Sequence, residues 1–536
     1  MNWKSILRFK CVGVVLALAL MTIPVGYVAA TEKDFDWELG DNYADLIVDP
    51  IKTDAGYVSG TMTDVFDPCW IYYFNAKTCT PTCQPTLVGE AGEAVRVYRG
   101  IPYAASPVGN LRWKPPQPVT PWEGIRECTE FTPVAPQPYN PPNFFWGCIT
   151  ESEMSEDVLY LNVATPAKHM HDRLPVLVWF HGGGINTGTN SPYGVGDYMG
   201  ASGGYLTSPL PRHGVVLVTV QHRIGPLGFM AHPELTAESP HHASGNYGQL
   251  DLVASLQWVQ RNIAAFGGDP HNITIFGQSG GGSKVLWLMS SPLAKGLFQK
   301  ALVESGCTIS SPLNPMSLCQ SLSDGQAAGL KLQSKVGASN LADLRARKWE
   351  DIIIAANTPG SGYVDNFTVD GWSLLDSIYN TFNAGNQNDV PFIIGAAQGE
   401  PLKHQGIQLW SNALTTGKSN MYVYVFSQVP AGWKAQGVVA WHSAEVTAEF
   451  GLEGLSMGLV LGALLPTNLS LDPGLTKSDY IVSEYMMSML AEFAATGNPS
   501  VRGVPWPPFS LKSGKDWYID IEYPVQAKPG YMQLYH

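Results

Sequence analysis

Three apolar segments of the chain end beside glycine-rich or polar sequence. Residues 175–180 and residues 272–276 are rich in β-branched, aliphatic and aromatic side chains, which is typical of buried strands. The second run is followed by a glycine-rich pentapeptide and by residues 283–289, which contain no glycine or proline and therefore predict a helix. Residues 391–397 form a third apolar run and predict another strand. The pattern indicates strands that end at tight turns.

The pentapeptide between strand and helix, residues 277–281, reads GQSGG and fits G-x-S-x-G. In an α/β-hydrolase such a turn lifts a nucleophilic serine clear of the sheet edge. A second match, GASGG at residues 200–204, has further glycines before it and Thr-Ser-Pro after it, which is typical of a surface loop. The flanking sequence therefore predicts Ser279 as the nucleophile and Ser202 as a structural residue.

A second glycine-rich segment follows the strand predicted at residues 175–180, where His181 precedes three glycines. Glycines in such an HGGG loop let the backbone approach a substrate, so that N–H groups can bind a developing oxyanion. The N–H of Gly280, directly after the nucleophile, adds another donor. A glycine-rich loop can also hold phosphate, but neither phosphate-binding glycine signature occurs here. The loop is therefore interpreted as part of an oxyanion hole.

A nucleophilic serine requires a histidine base within hydrogen-bond reach. In this fold the base follows the nucleophile along the chain, which excludes His181 and leaves His404, His442 and His536. His536 is the terminal residue, and His404 stands four residues after the best acid candidate. His442 precedes an apparent helix and is the predicted base.

An acid is also required, to orient the base, and it is expected after a strand between the nucleophile and the histidine. Glu400 meets this condition because it follows the apolar run at residues 391–397. Asp370 and Asp389 are the alternatives that the residues leave open.

The amino terminus has the features of a secretory signal. Three basic residues precede an apolar run from about residue 11 to residue 25, and small residues at 28–30 suit a signal peptidase. A retained anchor is the alternative. We expect a signal peptide at residues 1–30, a leader at residues 31–47 and a single domain at residues 48–536, secreted to an extracellular or periplasmic location without stable membrane insertion.

The composition of the chain limits which classes of partner it is expected to bind. The 536 residues carry a formal net charge of −13, and removal of the three basic residues of the signal leaves 29 basic against 45 acidic residues, a net charge of −16. Such a charge argues against nucleic acid as a partner. A hydrophobic content of 45% with 14% charged residues predicts a large buried core.

Seven cysteines follow the expected signal, and an exported protein with that many is expected to form disulfides. Cys307 with Cys319 is the first expected pair, and Cys128 with Cys148 is the next. The other three, Cys69, Cys79 and Cys83, leave an odd thiol. The spacing of Cys79 and Cys83 could suit a metal, but no nearby histidine completes a ligand set, so no metal site is predicted.

Taken together, these segments resemble the type B carboxylesterase and cholinesterase family over most of the expected mature chain. The resemblance includes the HGGG loop and the G-x-S-x-G turn. It also includes, in order, residues 98–104 (YRGIPYA), 107–113 (PVGNLRW), 155–163 (SEDVLYLNV), 223–229 (RIGPLGF), 245–248 (GNYG) and 266–270 (FGGDP).

The resemblance implies a fold and a site. The fold is an α/β-hydrolase with a mainly parallel central sheet flanked by helices. The family's acid segment matches residues 395–400, and its H-x-x-E segment matches residues 442–445. The implied catalytic triad is Ser279, Glu400 and His442, and the implied oxyanion donors are Gly183, Gly184 and Gly280.

The chain also departs from the family pattern. Gln278 stands where the family usually has glutamate, and Val158 stands where a half-cystine is expected. The stretch from Glu400 to His442 is shorter than usual, which predicts a more open site. These departures do not support a cholinesterase specificity.

The sequence therefore predicts a secreted serine hydrolase that cleaves carboxylic esters, either small molecules or polymers, through an acyl-enzyme and without a cofactor. The first alternative is a non-catalytic adhesion module of the same family, which typically lacks part of the triad. The second is a binding or structural protein whose glycines only form turns. It would leave the ordered acid and histidine unexplained.

Overall fold

A large central sheet organises the part of the chain that the computed structural model describes. The described residues are 47, 49–63, 72–75, 80–83, 95–138, 154–190, 208–306, 319–450 and 474–535. Contacts gather residues 45–536 into one compact unit. Within the described ranges, no helix is both long and apolar enough to cross a membrane. The expected signal peptide and Ser202 lie outside these ranges, and so do Cys69, Cys79, Cys148 and Cys307.

The strands and helices are numbered here along the described chain. The strands are β1 Ile51–Lys52, β2 Tyr57–Ser59, β3 Thr61–Thr63, β4 Tyr72–Asn75, β5 Thr80–Cys83, β6 Val95–Pro102, β7 Ile125–Glu127, β8 Tyr160–Thr165, β9 Leu174–Phe180, β10 Val216–Val220, β11 Gly268–Gln278, β12 Lys300–Glu304, β13 Cys319–Ser321, β14 Phe367–Val369, β15 Phe392–Ala397, β16 Met421–Phe426, β17 Tyr518–Ile521 and β18 Gln526–Lys528. The helices are α1 Gly225–Phe229, α2 Pro233–Glu238, α3 Tyr247–Asn262, α4 Gly280–Ser290, α5 Leu322–Val336, α6 Leu341–Ala346, α7 Trp349–Asn357, α8 Ile378–Asn383, α9 Pro401–Leu414, α10 Ala431–Lys434, α11 Ala444–Glu449 and α12 Lys477–Thr496.

The central sheet contains eleven of these strands, in the order β18-β17-β16-β15-β12-β11-β9-β10-β8-β6-β3. The seven strands from β17 to β10 are mutually parallel. Antiparallel strands complete both ends of the sheet. The sheet is therefore mainly parallel, and with its helices it confirms the predicted α/β-hydrolase fold.

The register of the parallel strands brings their carboxyl ends to one edge. Gly277 of β11 pairs with Phe180 of β9, and Gln278 pairs with Glu304 of β12. Glu304 in turn pairs with Gly395 of β15. Ligands of open α/β sheets bind outside the carboxyl ends of the strands. The turns that follow these strands are therefore close enough to form one site.

Apolar packing on both faces explains why the apolar runs form strands. All five residues of β10 and of β12 are buried, as are the last five of β9, which suits parallel strands covered by helices on both sides. The rings of Trp179, Phe276 and Phe450 pack together on one face, with centroids 4.9 to 5.9 Å apart. This packing fixes β9 and β11 beneath the site.

Helix α4 begins earlier than the sequence pattern predicted. The run without glycine starts at residue 283, whereas the helix starts at Gly280 and includes three glycines. Glycine is unfavourable inside a helix, so close packing must require it here. A Cβ atom on Gly281 would lie 2.0 Å from the carbonyl oxygen of Phe180.

Candidate active site

Ser279 occupies a strained turn between β11 and α4. Its backbone has φ 59° and ψ −119°, a conformation that residues with a side chain rarely adopt. The turn is held by the N–H of Ser279, which donates to the carbonyl of Glu304 at 2.7 Å, and by the N–H of Ser283, which donates to the carbonyl of Ser279 at 3.1 Å. The serine side chain is thereby directed away from the sheet edge, as a nucleophile elbow requires.

His442 lies directly beside this serine. The Oγ of Ser279 and the Nε2 of His442 are 2.9 Å apart, and the Nδ1 of His442 is 2.7 Å from Oε1 of Glu400. A carboxylate can only accept, so Nδ1 carries the proton and Nε2 is free to accept from the serine hydroxyl. About a third of the His442 side chain is exposed (35%), which leaves it accessible from solvent.

The side chain of Glu400 is buried at the start of α9, in the turn after β15. Burial alone would raise the pKa of its carboxyl, but the hydrogen bond and charge of His442, together with Lys403, lower the pKa to about 2. The hydroxyl of Ser305 lies 2.6 Å from the other carboxylate oxygen. Glu400 is therefore ionised at neutral pH, as a residue that orients the histidine must be.

The alternative acids and bases are engaged elsewhere. Asp389 accepts from the N–H groups of residues 418 and 419, and Asp370 accepts from three N–H groups of its own turn. His404 is buried, bonded to the carbonyl of Ala397 and the hydroxyl of Tyr531, and its pKa is lowered to about 4, chiefly by burial. None of the three contacts Ser279.

The HGGG loop lies against the amino end of α4. A Cβ atom on Gly280 would lie 1.8 Å from the carbonyl oxygen of Gly184, and one on Gly182 would lie 2.8 Å from the carbonyl oxygen of Gln278. Gly183 and Gly184 have φ values of 85° and 65°, which glycine tolerates best. Only glycine permits this approach between loop and helix.

The hydrogen bonds of this loop leave its N–H groups available. Its carbonyls at His181, Gly182 and Gly183 all accept from side chains or from the backbone of Thr187. Within the described ranges, the N–H groups of Gly183, Gly184 and Gly280 have no acceptor. The last is also the first N–H of a helix, which has no partner within that helix. These three donors can receive an anion beside Ser279.

Sequence reasoning missed a group of carboxyls behind Glu400. Glu304, Glu445 and Glu449 are all buried, with 0 or 1% exposed. Burial raises the pKa of Glu304 to about 7, and burial with the neighbouring charges of Glu400 and Glu304 raises the pKa of Glu445 to about 8. Burial also raises the pKa of Glu449 well above its usual value. Two signals were visible: Glu304 follows three apolar residues at the end of a strand, and Glu445 ends the H-x-x-E segment.

Ser305 connects this acidic group to the triad residues. Its Oγ lies 2.6 Å from Glu400 and 2.9 Å from Oε1 of Glu445. A hydroxyl has one proton, so it can donate to only one of two carboxyls. Because the pKa of Glu445 is raised and that of Glu400 is lowered, Glu445 keeps its proton and donates to Ser305, which donates to Glu400.

Comparison with known proteins identifies the family of the chain. The carboxylesterase family model matches residues 84–409 and 402–534. The chain is 30% identical over 485 residues to the fumonisin B1 esterase of Sphingopyxis macrogoltabida, which covers 78% of this chain and 82% of that protein. It is 29% identical over 489 residues to the para-nitrobenzyl esterase of Bacillus subtilis, and this match covers 82% of this chain and 94% of that protein.

Solved structures give the same result. A carboxylesterase of Geobacillus stearothermophilus superposes with a TM-score of 0.67 and 25% identity, over 89% of this chain and 97% of that chain. The family match, the relatives and the architecture of the sheet agree with one another. The chain therefore belongs to the carboxylesterase family and is a carboxylic ester hydrolase.

Proposed function

We propose that the protein hydrolyses its ester substrates through a covalent acyl-serine, with Ser279 as nucleophile, His442 as base and Glu400 as the acid that orients the base. The observation that carries this proposal is the continuous hydrogen-bonded series from Ser279 Oγ through His442 to Glu400, at 2.9 and 2.7 Å. It has the arrangement of a serine hydrolase triad.

In the first step, Ser279 Oγ bonds to the ester carbonyl carbon while its proton passes to Nε2 of His442. The carbonyl oxygen becomes an oxyanion, which the N–H groups of Gly183, Gly184 and Gly280 bind. Collapse of this intermediate breaks the bond to the alcohol, which leaves with the proton from His442. Water then attacks the acyl carbon while its proton passes to His442, and collapse of this second intermediate breaks the bond to Ser279 Oγ, which takes the proton back from His442 as the carboxylic acid is released.

The substrates are proposed to be small-molecule carboxylic esters, in line with the family. One relative is named for fumonisin B1 and another for para-nitrobenzyl esters. The exposed third of the His442 side chain is compatible with bulky esters. Rates over a series of nitrophenyl esters of increasing acyl length, with a polyester film as a separate substrate, would define the class.

Replacement of the nucleophile tests the mechanism. Ser279→Ala is expected to lower the kcat for p-nitrophenyl acetate by at least about 10⁴-fold, because it removes the attacking oxygen. Ser202→Ala, in the second G-x-S-x-G match, is the matched control and is expected to retain activity. Unchanged hydrolysis by purified Ser279→Ala would overturn the assignment. A wild-type protein without hydrolysis of any ester in the series would favour the non-catalytic adhesion module.

Export is part of the same proposal. Residues 1–30 are expected to direct secretion and to be removed, which the mass of the mature chain would test. Non-reducing peptide mapping would test the pairs Cys307–Cys319 and Cys128–Cys148. Cys128 is a buried free thiol in the described structure, and its expected partner lies outside the described residues, so that pairing stays a prediction.

A further inference from the structure

Lys284 is a buried cation on α4, five residues after Ser279. Its side chain has no exposed surface, and its ammonium donates to the carbonyl oxygen of His181 at 2.9 Å. His181 directly precedes the glycines of the HGGG loop. The ammonium therefore holds the backbone carbonyl that directly precedes the glycines of the loop.

Two other buried cations of the described residues, Arg112 and Arg223, are paired with carboxylates. Arg223 makes a salt bridge to Asp251, with Nη2 and Oδ1 2.7 Å apart, and Arg112 makes one to Glu156. Across the described ranges, no carboxylate forms a salt bridge with Lys284. Removal of an ammonium from water without a countercharge is strongly unfavourable. Burial of Lys284 without a countercharge is therefore expected to cost folding free energy.

Two imidazoles are the titratable groups beside Lys284, and they do not compensate its charge. The rings of His181 and His222 stack with centroids 4.8 Å apart. Each Nδ1 bonds to a backbone carbonyl, and each Nε2 is buried without a partner in the described structure. Burial and the nearby ammonium hold the pKa of both histidines well below the usual value, so both rings are neutral.

The position of this charge suits the reaction. The carbonyl that Lys284 binds belongs to the peptide between His181 and Gly182, which directly precedes the donors of the loop. A positive charge in a site of low dielectric acts on a developing oxyanion more strongly than it would in water. The charge has no carboxylate to neutralise it, so its field is available to the transition state.

We propose that Lys284 is a positioning residue of the ester hydrolase: its buried ammonium fixes the HGGG loop through the His181 carbonyl and adds a positive charge without a carboxylate partner next to the oxyanion donors. This proposal rests on the proposed serine mechanism. It accounts for an unpaired buried cation within hydrogen-bond reach of the loop that the reaction uses.

Lys284→Met tests the proposal, because methionine fills a similar volume without charge or donor. At pH 6, where the ammonium is charged, we expect the kcat for p-nitrophenyl acetate to fall about 10-fold, the KM to change less than about 2-fold, and the affinity for an aryl trifluoromethyl ketone, which forms an oxyanion on the serine, to fall about 10-fold. The Tm is expected to equal or exceed that of wild type, since a buried charge has been removed.

Lys284→Gln keeps an N–H donor without the charge and is expected to have a kcat between those of Lys284→Met and wild type. Lys300→Met is the matched control. Lys300 is also buried, but it lies at the amino end of β12, at the opposite edge of the sheet from Ser279, where it bonds to Asn272. Its kcat is expected to stay within about 2-fold of wild type.

An unchanged kcat in Lys284→Met would overturn the proposal. So would a parallel loss of kcat and Tm, or failure of both Lys284 variants to fold, because each would identify a purely structural residue. Covalent labelling of Ser279 by a nitrophenyl phosphonate separates this failure from failure of the serine mechanism: label on the wild-type serine with unaffected Lys284 variants rejects only the role of Lys284.

Discussion

The two sides of the Ser279 turn bury charges of opposite sign. On the side of the HGGG loop, Lys284 is fully buried, and no carboxylate of the described residues forms a salt bridge with it. On the side of His442, Glu304, Glu445 and Glu449 are buried around Glu400. Each side therefore carries the charge opposite to the one that would develop next to it, an oxyanion near the loop and an imidazolium near the carboxyls.

The difference between the sides lies in how each charge is controlled. The acidic side holds four carboxyls, but burial raises the pKa of three of them, and neighbouring carboxylates raise it further in Glu445 and Glu449, while His442 keeps the pKa of Glu400 low. One negative charge thus persists where the base needs it. The loop side holds one cation with neutral imidazoles beside it, and because burial lowers the pKa of this cation to about 7, its positive charge is present below about pH 7.

Loss of the single negative charge on the acidic side should have the largest effect. Glu400→Gln is expected to lower kcat by at least about 10³-fold, because an amide donates to Nδ1 of His442 and stabilises the wrong tautomer. Asp389→Asn, at the alternative acid, is expected to change kcat by less than about 3-fold. Steady-state kinetics at pH 7.5 measures both. Equal effects of the two variants would mean that Glu400 is not the orienting acid.

Loss of the Ser305 hydroxyl, which links Glu445 to Glu400, should have a smaller effect on kcat. Ser305→Ala removes the hydroxyl that donates to Glu400 and is expected to lower kcat about 10-fold, since a hydrogen bond to a charged group is worth about 1.5–3 kcal/mol. The KM should stay the same. A kcat equal to that of wild type would show that the carboxyls act independently of the triad.

Deprotonation of Lys284 at alkaline pH should lower kcat. Burial lowers the pKa of Lys284 to about 7, so the ammonium is charged below this pH and loses its proton above it. The wild-type kcat is therefore expected to fall a few-fold above about pH 7, with a smaller amplitude than in Lys284→Met because the neutral amine still donates. The pH profile of Lys284→Gln should lack this fall, whereas that of Lys300→Met should keep it. An identical alkaline limb in all variants would attribute the fall to another group.

The protonated carboxyls should affect stability more than rate. A carboxyl whose pKa is raised on folding stabilises the protein fully below its unfolded pKa, near 4.5, and loses that contribution as pH rises through its folded pKa. The folded pKa is about 7 for Glu304 and about 8 for Glu445, and that of Glu449 lies well above 4.5. Glu449→Gln is expected to reduce the loss of Tm between pH 5 and pH 8. Glu492→Gln, at an exposed position, serves as the control and should not alter it. A steeper loss of Tm with pH in Glu449→Gln than in wild type would mean that the Glu449 carboxyl is not protonated in the folded protein.

The sequence predicted the fold and the residues that now lie together, because those depend on local patterns. Apolar runs predicted β9, β11 and β15, and their flanking residues pointed to Ser279, His442 and Glu400. The buried charges could not be predicted in the same way. Lys284 stands in an ordinary helical run, and Glu449 has a spacing that equally suits an exposed helix face. Only the packing of α4 and α11 against the sheet reveals that both are buried.

Two further features depend on contacts between distant segments. Gln278 was recognised as unusual, but its amide nitrogen lies 3.3 Å from Nδ1 of His442, a contact between residues 164 positions apart. Ser305 follows a strand without any motif, and its importance comes from Glu400 and Glu445 on other elements. Such links require the register of the sheet, which the sequence pattern did not provide.

Direct identification of the nucleophile tests the central claim most sharply. Wild-type protein treated with a nitrophenyl alkylphosphonate should release one equivalent of nitrophenol, lose esterase activity in proportion and gain one phosphonyl group. Peptide mass spectrometry should locate that group on Ser279. Labelling of another residue, or full inactivation without a covalent adduct on Ser279, would contradict the proposed mechanism.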